Sequence, residues 1–298
     1  MPDVPWRFIA ILASNGVLVG SMYALVALGF VLIYKATDAI NFAQGEFVMF
    51  AGFLAAAVIG AGLPWWAGAL AAIGGMILLG FGLERVVLRP LIGRPVIAVI
   101  MATIGLASIL RGTATLAFGA GEQTIPLPIS SSPMLIGPLI LPPIEIVGAG
   151  VSLTFLAGFA WFFLKSRIGV AMRAVADNQQ VAMAMGINIR RYFALAWALG
   201  GVVSALGGVL WGAMLAVDNQ LALVGLKVFP VVILGGLDSI VGAVVGGLIV
   251  GVVENLSAGF LDPLVGGGTK DFIPYLLMIA VLMVRPEGIF GRRRIERV

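Results

Sequence analysis

The chain has 298 residues, 61% of them hydrophobic and only 11% charged, with a mean hydropathy of +1.12 and a formal net charge of +4. So little charge excludes a soluble domain of this size, and apolar residues arriving in long blocks rather than in alternation exclude a β-barrel. The absence of cysteine and histidine excludes disulfides, thiolate metal sites and histidine proton relays.

Phe8 to Tyr34 is free of charge and long enough for one tilted span, with Gly16 and Gly20 forming a small-residue packing face. No cleavable signal is expected, because only Arg7 precedes this run and the run outlasts a signal peptide. Residues 35–47, KATDAINFAQGEF, then place Asn41, Gln44 and Glu46 directly before a second apolar run, Val48 to Gly60. Two readings stand for these polar residues. They cap a helix whose dipole favours a nearby carboxylate, or they belong to a broken helix that lines a translocation path.

Trp65 and Trp66 open a third span as interfacial anchors. It ends in GLERVVLRPLIGRP, where Glu84, Arg85, Arg89 and Arg94 mark a cytoplasmic loop. Ile97 to Phe118 is a fourth span carrying Arg111, which must snorkel, pair with an acid or face a wet cavity; snorkelling is expected. Residues 119–145 hold two acids and no base, as suits an outside loop. Ile146 to Leu164 returns inward and Tyr192 to Val217 leads out again.

Between these two spans lies the one long polar interruption, Lys165 to Arg191, with five of the 18 basic residues and a single acid, Asp177. Val170, Ala171, Val175, Ala182 and Met185 fall at rough helical spacing beside Arg173 and Asp177, and Gly186 supplies a stop. Such a loop either fixes orientation under the positive-inside rule or forms a short helix that docks on a cytoplasmic partner.

Counting decides the next segment. If Val228 to Val253 were one span, Arg285, Arg292, Arg293, Arg294 and Arg297 would end on the wrong side. Two short crossings folded at GGLDS, residues 235–239, repair the parity and set Asp238 at the cytoplasmic end. Gly242, Gly246, Gly247 and Gly251 give overlapping packing faces, and Phe272 to Val284 is the last run. The expected architecture is therefore all-α and polytopic, with about 8–9 transmembrane helices including broken or short ones. It forms a single domain over residues 1–298, with the N-terminus outside and a basic cytoplasmic tail at 285–298.

No catalytic constellation is present. A GxxxxGK[ST] loop is missing, and GGGTK at 266–270 lacks its spacing and reads as a flexible external linker. Glu46, Arg111 and Glu254 look scattered, unlike the paired groups of ion-coupled carriers. What remains is a pore-forming subunit with no motor of its own, a carrier or channel acting alone being the rival.

Five stretches resemble one family: NFAQGEF at 41–47, ERVVLRP at 84–90, RAVADNQQVAMAMGIN at 173–188, ILGGLDSIVGAVVGGL at 233–248 and VRPEGIFG at 284–291. In order and spacing they look like the permease subunits of branched-chain amino acid ABC importers, of the shorter, LivH type. The resemblance implies a permease in the bacterial inner membrane with no catalytic residue, metal or cofactor of its own, ATP being bound by partners. Those partners would be a second permease, two ATPase subunits and a periplasmic or lipid-anchored binding protein, with lipid around them and no nucleic acid. It also implies that the polar loop is the coupling element, with Arg173, Ala174, Asp177, Ala182, Gly186 and Ile187 at the ATPase contact. Gln44 stands where the family commonly shows histidine, and Asp238 where a small residue is usual. Relatives with similar motifs handle other amino acids, amides or urea.

Overall fold

The computed structural model describes residues 6–291. The expected basic tail falls partly there, while its Arg292, Arg293, Arg294 and Arg297 lie outside the described residues. The helices are α1 (Trp6–Thr37), α2 (Gln44–Gly60), α3 (Trp65–Leu83), α4 (Val96–Phe118), α5 (Pro143–Lys165), α6 (Arg167–Asp177), α7 (Gln179–Ala184), α8 (Ile189–Leu215), α9 (Leu223–Gly235), α10 (Ile240–Val265) and α11 (Thr269–Val284). One antiparallel hairpin, β1 (Met134–Ile136) with β2 (Leu139–Leu141), turns at Gly137 within the expected outside loop.

The protein is all-α and polytopic, and among the described residues six helices are long and apolar enough to cross a membrane: α1, α3 with its continuation to Leu91, α4, α5, α8 and α10. The eight or nine expected included broken or short helices, and these do not reach that length. Polar breaks cut the remaining apolar sequence into shorter pieces: α2 has 17 residues, α9 has 13 and α11 has 16. At 1.5 Å per residue, 17 residues reach only about 25 Å against a hydrocarbon core of about 30 Å.

The chain forms two compact units. One comprises Leu28–Leu127 and Leu156–Leu226. At its centre α2 is enclosed by α3, α4, α8 and the turn at 219–222, which explains how a short helix with a polar start is tolerated among membrane spans. Backbones meet closely there. A Cβ on Gly80 would sit 2.5 Å from the Trp197 carbonyl oxygen, and Phe47 meets Trp197 edge-on at 5.9 Å between ring centroids. Gly45 lies so close to Ala222 O and Gly225 that no side chain fits.

The other unit comprises the segment up to Ala27, Pro128–Phe155 and the chain from Lys227. Here the glycines of α10 serve two neighbours. Gly247 and Gly251 meet Gly20 and Gly16 of α1, whereas Gly242 and Gly246 meet Gly235 and Val231 of α9. With lipid as apolar as leucine, close backbone approach is what holds such helices together. The break between α9 and α10 falls at 236–239 as expected, with Gly236 at φ +102° and the Ser239 hydroxyl capping Gly242 N at 2.9 Å. Residues 266–268 are no loose linker. All three glycines have positive φ, Gly266 N bonds Asp262 O at 2.9 Å, and Asp262 Oδ1 accepts from Thr269 N at 2.9 Å, making a defined corner between α10 and α11.

Candidate functional site

Residues 165–191 fold as two short helices rather than one. The Ser166 side chain accepts from Gly169 N at 2.9 Å to start α6, and the Asn178 side chain accepts from Val181 N at 3.0 Å to start α7. Asparagine at the junction competes with the helix for backbone donors, which is why the helix breaks there. At the end of α7, Gly186 N bonds Met183 O at 2.9 Å and Ile187 N bonds Ala182 O at 3.0 Å, with Gly186 at φ +82°. This is the Schellman arrangement, and it requires the left-handed residue that glycine provides at least cost.

The apolar stripe expected along this loop divides. Val175 and Ala182 are buried, joining Met172 against the body of the unit, while Val170 and Met185 face out together with Ile168, Val181 and Met183. Met172 and Val175 line a small cavity together with Leu32, Lys35, Ala36, Phe163 and Tyr192. Arg173 turns inward. Its guanidinium donates to Phe163 O and, at 3.3 Å, to Leu164 O, and stacks over the Phe163 ring at 5.5 Å, so it closes carbonyls that the end of α5 leaves unpaired. Ala174 is half-buried, Asp177 and Gly186 are exposed, and Ile187 is half-buried. Gln179, which sequence reading passed over, donates from Nε2 to Ala36 O at 3.2 Å and so ties α7 to the last turn of α1.

The second set of residues gathers at the start of α2. Asn41, Gln44 and Glu46 are all buried. Asn41 Oδ1 accepts from Ala43 N at 3.1 Å and its Nδ2 donates to Gln44 Oε1 at 3.3 Å; Gln44 Nε2 donates to Ser204 Oγ at 3.0 Å. Neither residue is the N-cap of α2, which is Ala43 without a side-chain bond. Asn41 instead braces the turn that precedes the helix, and Gln44 fastens it to α8.

Glu46 and Arg111 come together, Nη2 to Oε1 at 2.6 Å. The arginine is therefore paired with an acid, correcting the snorkelling expectation; its side chain keeps 50% exposure. The pair brings α4 against α2, and one turn along α4 Thr115 Oγ1 accepts from Asn219 Nδ2 at 3.1 Å.

Glu254 is not isolated either. In the other unit it lies buried in α10, where Tyr23 Oη donates to its Oε1 at 3.2 Å and Lys227 Nζ stands 3.7 Å from the same oxygen. Lys227 also bonds Asp271 Oδ1 at 2.9 Å. No cluster of metal-ligating side chains occurs among the described residues.

Comparison with known proteins adds the context for these loci. A family model described as "Branched-chain amino acid transport system / permease component" matches residues 12–282. A high-affinity branched-chain amino acid permease, LivH of Salmonella typhimurium, is 34% identical over 95% of this chain and 96% of its own length. BraD of Pseudomonas aeruginosa, similarly described, is 32% identical over 95% and 96%. A probable LivH of Methanocaldococcus jannaschii is 27% identical over 93% and 91%.

Proposed function

The chain belongs to the permease family of branched-chain amino acid transport systems, and on that premise we propose that it is the transmembrane subunit of an ATP-driven importer for branched-chain or other small neutral amino acids. Permeases of this family are not catalytic; separate ATPase subunits hydrolyse the ATP. The protein works in the inner membrane as one permease domain beside a second permease, two ATPase subunits and a periplasmic or lipid-anchored binding protein that delivers substrate. Its C-terminus is cytoplasmic. The six long helices, with α2, α9 and α11 as short or broken crossings, make up its membrane part.

The observation that carries this reading is the family match over residues 12–282, since it takes in α2 to α10 whole and most of α1 and α11. Its two loci then take roles. The loop at 165–191 is the coupling element. Ile168, Val170, Val181, Met183 and Met185 supply its exposed apolar surface, and Asp177, Gly186 and Ile187 lie beside it. Arg173, Ala174 and Ala182 hold that surface to the body of the unit. Asn41 and Gln44 shape the broken entry to α2, and Glu46 with Arg111 marks the translocation path, because a half-exposed guanidinium between apolar helices calls for water or substrate beside it. Closure of the ATPase dimer moves the loop and changes which side the path faces.

Uptake into vesicles tests the assignment. Labelled leucine should accumulate only when both ATPase subunits, ATP and the binding protein are present, and ionophores should leave the rate unchanged. Uptake by the permease alone, or collapse with an ion gradient, would return the protein to the carrier or channel class.

A further inference from the structure

Lys227, Glu254, Asp271 and Tyr23 form an ionic cluster that none of the roles above uses. Glu254 lies well inside the 26-residue apolar helix α10 with its side chain only 5% exposed, whereas Asp271, in the first turn of α11, is 73% exposed. Lys227 is 34% exposed and spans the two, 2.9 Å from Asp271 Oδ1 and 3.7 Å from Glu254 Oε1. The nearby acid Asp262 is occupied by Thr269, and Lys270 is exposed on the next position.

Charge this deep in apolar helices is retained where it meets a cargo or a partner more often than where it merely holds helices together. The arrangement runs from an accessible carboxylate, through a half-accessible ammonium, to a buried carboxylate braced by a tyrosine. The parity expected from the sequence, with GGLDS at the cytoplasmic end, sets the α10–α11 corner and the start of α9 on the outer side, where a binding protein would deliver.

We propose that the Lys227–Asp271 ion pair, backed by Glu254, is the outer subsite that receives the zwitterionic head of an amino acid substrate. A zwitterion inserts into an ion pair without unbalancing charge. Its ammonium takes Asp271, its carboxylate takes Lys227, and Glu254 with Tyr23 keeps the lysine from following the cargo. One ion pair becomes two, so the substrate's loss of water is offset at both ends. The apolar side chain is left to the surrounding helices. This inference rests on the importer reading and concerns residues separate from Glu46 and Arg111.

The test uses the complete importer in proteoliposomes with its binding protein and labelled leucine. The double variant Lys227→Met/Asp271→Asn, made in a Glu254→Gln background, removes the exchanging pair without leaving the buried Glu254 carboxylate with no cation beside it. Membrane abundance and ATP hydrolysis stimulated by the loaded binding protein should stay within about twofold of the unaltered complex, while uptake falls about tenfold or more. Lys227→Arg, which keeps the charge, should retain most uptake. Normal uptake by the double variant overturns the proposal, and so does loss of uptake in step with abundance or with stimulated hydrolysis, since these mark a structural or coupling role. Failure of the unaltered complex to respond to the loaded binding protein is a different result, and it strikes the importer reading itself.

Discussion

The Glu46–Arg111 contact shows how one membrane-embedded charge depends on another. Glu46 is 6% exposed, and without Arg111 its carboxylate would be left in a buried site with no cation. Breaking a buried pair from one side commonly costs about 3–5 kcal/mol, but the half-exposed guanidinium is partly screened, so about 1–2 kcal/mol is the fitting scale. Arg111→Met should lower the thermal unfolding midpoint of the purified permease by a few degrees, about 2–4 °C per kcal/mol. Adding Glu46→Gln should recover part of that loss, because an amide is less costly to bury than a lone carboxylate. Uptake by the double variant should stay low if the pair marks the path. A double variant less stable than the single one would show that the carboxylate is satisfied by something other than Arg111.

Among the elements, the helix breaks were legible and the cross-helix bonds were not. Gly236 with Asp238 and Ser239 ended α9 and restarted α10, and Gly186 ended α7, because these residues carry their conformational preference locally. Glu46 and Arg111 are 65 residues apart and Tyr23 and Glu254 are 231 apart, so their spacing carries no helical signal and only the packing of α4 on α2 and α10 on α1 joins them. The same applies to Lys227, which stood unnoticed in an apolar run. The loop was legible in kind but not in detail: periodicity found apolar positions, yet could not tell Val175 and Ala182, which face inward, from Val170 and Met185, which face out. Gly186→Pro tests the terminus of α7 directly. Proline can neither reach φ +82° nor donate the bond to Met183 O, so the variant should insert normally while its ATPase subunits lose stimulation by loaded binding protein severalfold. Unchanged stimulation would remove the docking role from this turn.

At the scale of the whole molecule the question is how movement of the loop reaches the path, and one of the two units contains a continuous physical route. Gln179 of α7 holds Ala36 O in the last turn of α1, the chain then breaks across 38–43, and α2 begins with Gln44 bonded to Ser204 and Glu46 bonded to Arg111. Met172 and Val175 share the wall of a small cavity with Lys35 and Ala36, so α6 faces the same helix end. Proximity alone does not establish coupling, which needs an element with two arrangements that both sites bias; the broken entry to α2 is the candidate. Gln179→Leu removes one neutral hydrogen bond, worth about 1 kcal/mol, and should reduce leucine imported per ATP hydrolysed about fivefold while hydrolysis itself continues. Gln180→Leu, at the exposed neighbouring position, should change neither. If import and hydrolysis stay in proportion in Gln179→Leu, the end of α1 is a passive support, and the stroke must travel instead through Ile189, the buried first residue of α8 that follows the loop.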